Sequence, residues 1–248
     1  MRFSIFLWAA SVLFAATAHA GPSINVGVIY DYLEGDKSTY LKRVFNNGDS
    51  TAFVKINILE IVYDANGAST EIPVATDSAT LVRNGLMASP ARLIVPAGGT
   101  QGTRLLFIGS RDKERYFRVR FVPVVPEKED QFAISAEERD SYKKNLSAGI
   151  SVMAGYGTIF FVRPKDTRFD TQVTNTADKY TLYNNGNSVV VVDEFQDCAI
   201  NKEADCKPTS KHHILAGRTH SFGKEPGREY RFKLVEGTST KNVDVVTR

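Results

Sequence analysis

The chain has 248 residues, with 31 Lys and Arg against 28 Asp and Glu. A balance this even supplies no basic stripe for nucleic acid and no polybasic patch for an anionic membrane. The length allows one large or two ordinary domains, enough to bury a sizeable core.

Residues 1–20 carry one charge, Arg2, then an apolar run from Phe3 to Ala18, and end Ala18-His19-Ala20. This is the pattern of a cleaved export signal, and the run is short for a membrane span. The expected mature chain therefore begins near Gly21. Short runs rich in β-branched and aromatic residues then recur, broken by Gly, Pro, Asn and Asp. They predict strands over Ile24–Leu33, Tyr40–Phe45, Thr51–Val62, Arg92–Val95, Thr103–Ile108 and Glu114–Val124. The polar stretch Val124–Ser147 is long for a compact domain, a length that usually marks function or mobility. Within it Ser135 and Glu138 fit a capping box, but the apolar face is thin, so a solvated loop with one helical turn is expected. The longest apolar strand follows, Ile150–Val162, and Arg163-Pro164 ends it because proline cannot continue an interior ladder. Further strands are expected over Tyr180–Tyr183, Ser188–Phe195, Glu229–Leu234 and Lys241–Val246. Asn66-Gly67 and Asn184-Asn185-Gly186-Asn187 supply turns where positive φ is cheap. Many short strands with one weak helix read as all-β sandwiches. The expected division is 1–20 signal segment, 21–164 first domain and 165–248 second domain.

Two cysteines, Cys198 and Cys206, lie close together in the second half. In an exported protein such a pair reads as a disulfide that clips one loop. The competing metal site would add His212, His213 and His220, but that spacing suits no common closed site, and strand-end histidines are ordinarily exposed. Glu127, Glu129 and Asp130, like Glu137 and Glu138, read as solvation rather than an acid–base pair. There is no nucleophile elbow, and Gly98-Gly99 and Gly155-x-Gly157 precede no helix that could cradle phosphate. No enzyme activity, cofactor, metal or small-molecule substrate is therefore expected.

Four segments carry a resemblance. Ser89-Pro90-Ala91-Arg92-Leu93-Ile94-Val95-Pro96-Ala97-Gly98 is followed by Gln101 and Arg104-Leu105. Glu114-Arg115-Tyr116-Phe117-Arg118-Val119 comes next, then Thr158-Ile159-Phe160-Phe161-Val162-Arg163-Pro164. Last come Tyr183-Asn184-Asn185-Gly186-Asn187 and the Cys198–Cys206 loop. In this order they resemble the periplasmic chaperones of the chaperone–usher pathway, and among them the alternate subgroup that assembles class 5 (alpha-type) fimbriae and the common pilus. The resemblance implies two immunoglobulin-like β-sandwich domains in a boomerang arrangement, a periplasmic location, and pilus subunits and an outer-membrane usher as partners. It also implies donor-strand complementation, in which Ile150–Val162 completes a subunit that lacks a strand.

The physics of that role can be checked on the residues. A missing strand leaves an apolar groove and a row of unpaired backbone groups. A donor must satisfy both, with alternate side chains filling the groove. Ile150, Val152 and Ala154 fall on one face with Tyr156 in line, and by the resemblance they form the donor set. The better-known branch of the family anchors the subunit's C-terminal carboxylate with two basic residues. This sequence has neither at the matching positions and carries Thr158-Ile159 where a lysine would stand. Arg43, with Lys42 beside it, and the hydroxyl of Thr158 are the expected substitutes. Two other roles fit an exported sandwich protein: a fimbrial subunit or tip adhesin, and a periplasmic binding module. The first needs a free apolar N-terminal extension, for which Ile24-x-Val26-x-Val28 gives weak support. The second needs exposed aromatics, and the single Trp lies in the signal segment. The sequence is also compatible with transient self-association of the unloaded protein.

Overall fold

The computed structural model describes residues 21–74, 85–147, 152–200 and 205–247. The expected signal segment lies outside these residues, and so does Ile150. Strand-forming runs and turn residues resolve into β1 (Ile24–Asn25), β2 (Tyr30–Leu33), β3 (Thr39–Asn46), β4 (Ala52–Tyr63), β5 (Ser69–Pro73), β6 (Gly85–Ser89), β7 (Arg92–Val95), β8 (Thr100–Ile108), β9 (Arg115–Val124) and β10 (Tyr156–Val162). They form a four-stranded sheet, β1-β3-β8-β6, and a six-stranded sheet, β2-β10-β9-β4-β5, in which β7 also pairs with β4. Alternate residues of both sheets point inward, and Val44, Val54, Val95, Leu105, Phe117, Val119, Phe121 and Phe160 fill the space between them. This two-sheet layering over one core is the sandwich expected from the strand pattern.

The second sandwich comprises β11 (Thr171–Asn175), β12 (Lys179–Asn184), β13 (Val190–Ala199), β14 (Ser210–Ile214), β15 (Thr219–Gly223), β16 (Arg228–Glu236) and β17 (Ser239–Val246). Its sheets run β11-β12-β15 and β14-β13-β16-β17. Leu182, Val190, Val192, Ile214, Tyr230 and Phe232 make its core. Cys198 and Cys206 are joined by a disulfide at the end of β13. β11, β14 and β15 escaped the sequence reading because their residues are largely polar; pairing with β12 and β13 holds them as strands, with Ile214 of β14 and Phe222 of β15 as their apolar contacts to the core.

Three elements differ from expectation. The first strand is broken: Asn25 Oδ1 accepts a hydrogen bond from Gly27 N at 2.7 Å, and Gly27 adopts φ +68°, open to glycine. There the chain crosses from the first sheet to the second. The polar stretch before the last strand of this domain holds a full helix, α1 (Ala136–Ser147), longer than one turn. Ser135 and Glu138 do form the reciprocal capping box, at 2.7 and 3.1 Å. A single aromatic anchors the helix: Tyr142 packs edge-on against Phe53 at 4.8 Å and donates to Thr51 O at 2.8 Å. Last, the strand expected over Ile150–Val162 enters its ladder only at Tyr156.

Leu182 is fully buried in the second core. Leu182→Ala should cost about 2–5 kcal/mol through lost burial and the cavity left behind. Urea unfolding followed by circular dichroism checks this, and a loss below about 1 kcal/mol would mean that the site collapses freely.

Candidate strand-donor edge and interdomain joint

β10 is flanked unequally. On one side it runs antiparallel to β9 from the Tyr156–Phe121 pair to the Val162–Arg115 pair. On the other it runs parallel to β2, but only from Ile159 to Val162. The last bond on that side joins Ile159 N to Ile29 O at 2.8 Å. Upstream the first strand has already turned away at Gly27. The Gly155 and Gly157 backbone groups that face this side therefore meet no backbone partner among the described residues. Val152–Gly155 continues the chain outside any ladder. Val152 is 82% exposed, Ala154 and Tyr156 are exposed, and the crossing segment adds exposed Val28 and Ile29. Three of the four expected donor residues thus lie along one open, apolar edge.

The expected anchor residues separate. On β3 the even positions face the core and the odd positions face solvent. Arg43, expected to carry the charge, is exposed on the outer face for this reason, whereas Lys42 is buried. Lys42 Nζ donates to Asp31 Oδ2 at 2.7 Å and to Val28 O at 2.6 Å. Tyr40 donates to Asp31 Oδ1 at 2.7 Å, and burial followed by this bond pushes its phenol pKa up. Thr158 is buried, its hydroxyl 3.4 Å from Val119 O. Because Val28 lies just before the Ile29–Ile159 bond, the Lys42 ammonium sits close to the point where the open edge begins. Two of its three N–H groups are committed, leaving one.

Two contacts that sequence reasoning missed tie this edge to the second sandwich. Glu114, buried one residue ahead of β9, accepts from Ser188 Oγ at 2.6 Å and from Val189 N at 2.9 Å. Burial pushes its carboxyl pKa up, and these bonds oppose the rise. His213 of β14, expected to be an exposed strand-end residue, instead packs across the joint. Its ring stacks on Phe161 with centroids 5.3 Å apart and lies 4.1 Å from Tyr30. Tyr32 Oη and His213 Nε2 are hydrogen-bonded at 2.8 Å. Arg218 adds a third tie, donating to Asp64 O at 2.7 Å and to Ala65 O at 3.1 Å in the β4–β5 turn. Among the described residues no cluster of three or more His, Cys, Asp and Glu could hold a metal. No helix there is long and apolar enough to cross a membrane.

Two immunoglobulin-like sandwiches with an open edge strand directly before the joint have the architecture of the fimbrial chaperones. The chain is 27% identical over 223 residues to a probable fimbrial chaperone EcpB of Escherichia coli O157:H7, covering 88% of this chain and 85% of the relative. It is 27% identical over 232 residues to the EcpB of E. coli O6:K15:H31, covering 93% and 90%. Among solved structures it superposes on the class 5 fimbriae chaperone CfaA with a TM-score of 0.54 at 21% identity, covering 90% of this chain and 99% of that one. The chaperone–tip adhesin subunit complex CsuC–CsuE of Acinetobacter baumannii gives 0.53 at 13% identity, covering 90% and 97%. No family model matches the chain. Sequence and fold agree with the resemblance read from the motifs: the chain is similar in sequence to probable fimbrial chaperones and in fold to solved ones.

Burial lowers the His213 pKa from the ordinary 6.5 to about 4, helped by nearby Lys211 and His212 and opposed by Asp193. The unfolded chain thus takes up this proton at a higher pH than the folded one. Stability should therefore fall as pH drops from about 6.5 towards 4. After solvent screening this amounts to about 1–2 kcal/mol. His213→Phe should flatten that part of the stability–pH curve; an unchanged curve would mean that other groups carry the acid sensitivity.

Proposed function

We propose that this protein is a periplasmic chaperone that binds and stabilises fimbrial subunits by donor-strand complementation and passes them to an outer-membrane usher. The observation that carries the reading is the segment Val152–Thr158. Val152–Gly155 lie in no ladder and Tyr156–Thr158 are paired only with β9, which leaves apolar Val152, Ala154 and Tyr156 exposed and the backbone on the β2 side open. A subunit lacking one strand has the complementary defect. Adding this segment gives its backbone partners, and burying Val152 contributes about 1.5–3 kcal/mol. The chemistry is that of a binding protein: strand addition makes and breaks no covalent bond.

The subunit's C-terminal carboxylate is proposed to dock where the open edge begins. Lys42 offers its remaining N–H, held in place by Asp31, and Thr158 exchanges its long bond to Val119 for a bond to the carboxylate. Arg43, on the outer face, is left out of this anchor. A charge-assisted bond of this kind is worth about 1.5–3 kcal/mol. The division 21–164 and 165–248 is proposed as the functional one, the first sandwich donating the strand and the second steadying it.

Co-expression in the periplasm with a fimbrial subunit from the same gene cluster tests both parts. Val152→Asp should abolish the co-purified 1:1 complex, because a buried unpaired carboxylate opposes groove filling. Undiminished complex would remove the donor assignment. Thr158→Val, which keeps the buried shape, should lower the yield about threefold to tenfold, whereas Arg43→Ala should leave it unchanged. The reverse pattern would place the anchor elsewhere.

A further inference from the structure

The backbone parity around β10 shows where its ladder can and cannot continue. Ile159 N donates to Ile29 O at 2.8 Å and Arg163 N to Leu33 O at 3.0 Å. Odd-numbered residues of β10 therefore turn their backbone groups toward β2, and even-numbered residues toward β9. The neighbouring strands give the same answer independently. Ile56 N donates to Ala91 O at 2.9 Å and Val74 N to Ile58 O at 3.1 Å, so even residues of β4 face away from β9. The odd residues of β4, paired as Lys55 with Val122 and Asn57 with Arg120, thus use the even residues of β9. The odd residues of β9 are left to face β10.

The ladder begins at Tyr156 opposite Phe121. Continued by one hydrogen-bonded step, it would set Ala154 opposite Pro123. Position 123 is the one that should donate to Ala154, and proline has no N–H. The chain still passes close by. A Cβ added at Gly155 would lie 3.0 Å from Phe121 O and 3.6 Å from Pro123 Cδ, so only glycine allows this approach without displacing β9.

We propose that Pro123 is a positioning residue that stops the β9–β10 ladder at Tyr156 and keeps Val152–Gly155 from zipping onto its own sheet. The inference rests on the donor-strand reading above. With β2 turned away on one side and Pro123 offering only a carbonyl on the other, Val152–Gly155 has no backbone ladder on either edge. That is the condition for insertion between two strands of a client, as distinct from addition beside one. A proline here leaves the rest of the sheet intact, because its nitrogen faces only the released segment while Val122 and Val124 keep their pairing with β4.

The test uses the full chain with Pro123→Ala, and Pro123→Val as a second variant that regains the same N–H. In the free protein, amide hydrogen exchange at Ala154 should slow at least tenfold with the thermal midpoint kept or raised. Capture of the co-expressed fimbrial subunit should fall at least threefold. Unchanged exchange at Ala154, or capture equal to the parent chain, overturns the inference, and so does lost capture without slowed exchange. Val152→Asp measured in parallel separates the two claims. If it loses the subunit while both Pro123 variants keep it, the donor reading stands and the role of Pro123 falls. If it also keeps the subunit, the donor reading fails and this inference fails with it.

Discussion

The interaction on which the rest depends is the backbone hydrogen-bond ladder of β10, and in particular the place where it stops. From Ile159 to Val162 the strand is paired on both sides and its even residues enter the core. From Tyr156 to Thr158 it is paired on one side, and Val152–Gly155 are in no ladder. Unpaired edges expose a sheet to aggregation, and proteins ordinarily blunt them with charge, proline or cover. Here the edge carries Val152, Ala154 and Tyr156, with Val28 and Ile29 beside it, all exposed. An apolar edge of this kind is a liability in a free monomer and an asset in a protein whose task is to complete another sheet.

The second sandwich bears on this edge through side chains, not strands. Phe161 lies three residues from Thr158, on the face of β10 opposite Phe160, and takes the His213 ring from β14. Glu114, one residue ahead of β9, is fixed by Ser188 and Val189 at the head of β13. Both strands that define the open edge are thus held at their joint-proximal ends, while their distal ends carry Pro123 and the released segment. The placement pairs and packs the edge at its joint end and leaves the other end without backbone partners. The Lys42–Asp31 pair adds a buried charge at the crossing point. Such a pair is weak evidence for stability, since desolvation offsets most of its attraction.

Much of the fold was legible in the sequence because burial and turn chemistry leave periodic marks. The strands Arg92–Val95 and Glu114–Val124 could be placed to within a residue by their alternation. The cysteine pair followed from compartment and proximity. A polar strand such as β11 left no mark, since its place comes from pairing with β12. Of the residues expected on the donor face, Val152, Ala154 and Tyr156 are exposed, as their alternation suggests, and Ile150 lies outside the described residues. The orientation of the two expected anchor cations was not legible: Lys42 and Arg43 are adjacent and chemically alike, and strand parity alone sends one inward and the other outward. Nothing local marked His213 or Glu114, because their partners lie in the other sandwich. Pro123 carried a signal that could have been read, a proline inside a strand of ten residues, but its meaning required knowing which neighbour its nitrogen faces.

The account stands most directly on the Gly157 backbone, which faces the open side of β10. Amide exchange of the isotope-labelled chain should be measured free and in complex with a fimbrial subunit. Strong protection of Gly157 on binding, with Ile159 protected in both states, is the result expected. Exchange at Gly157 as fast in the complex as in the free protein would show that the subunit sits elsewhere and that this edge is not the donor.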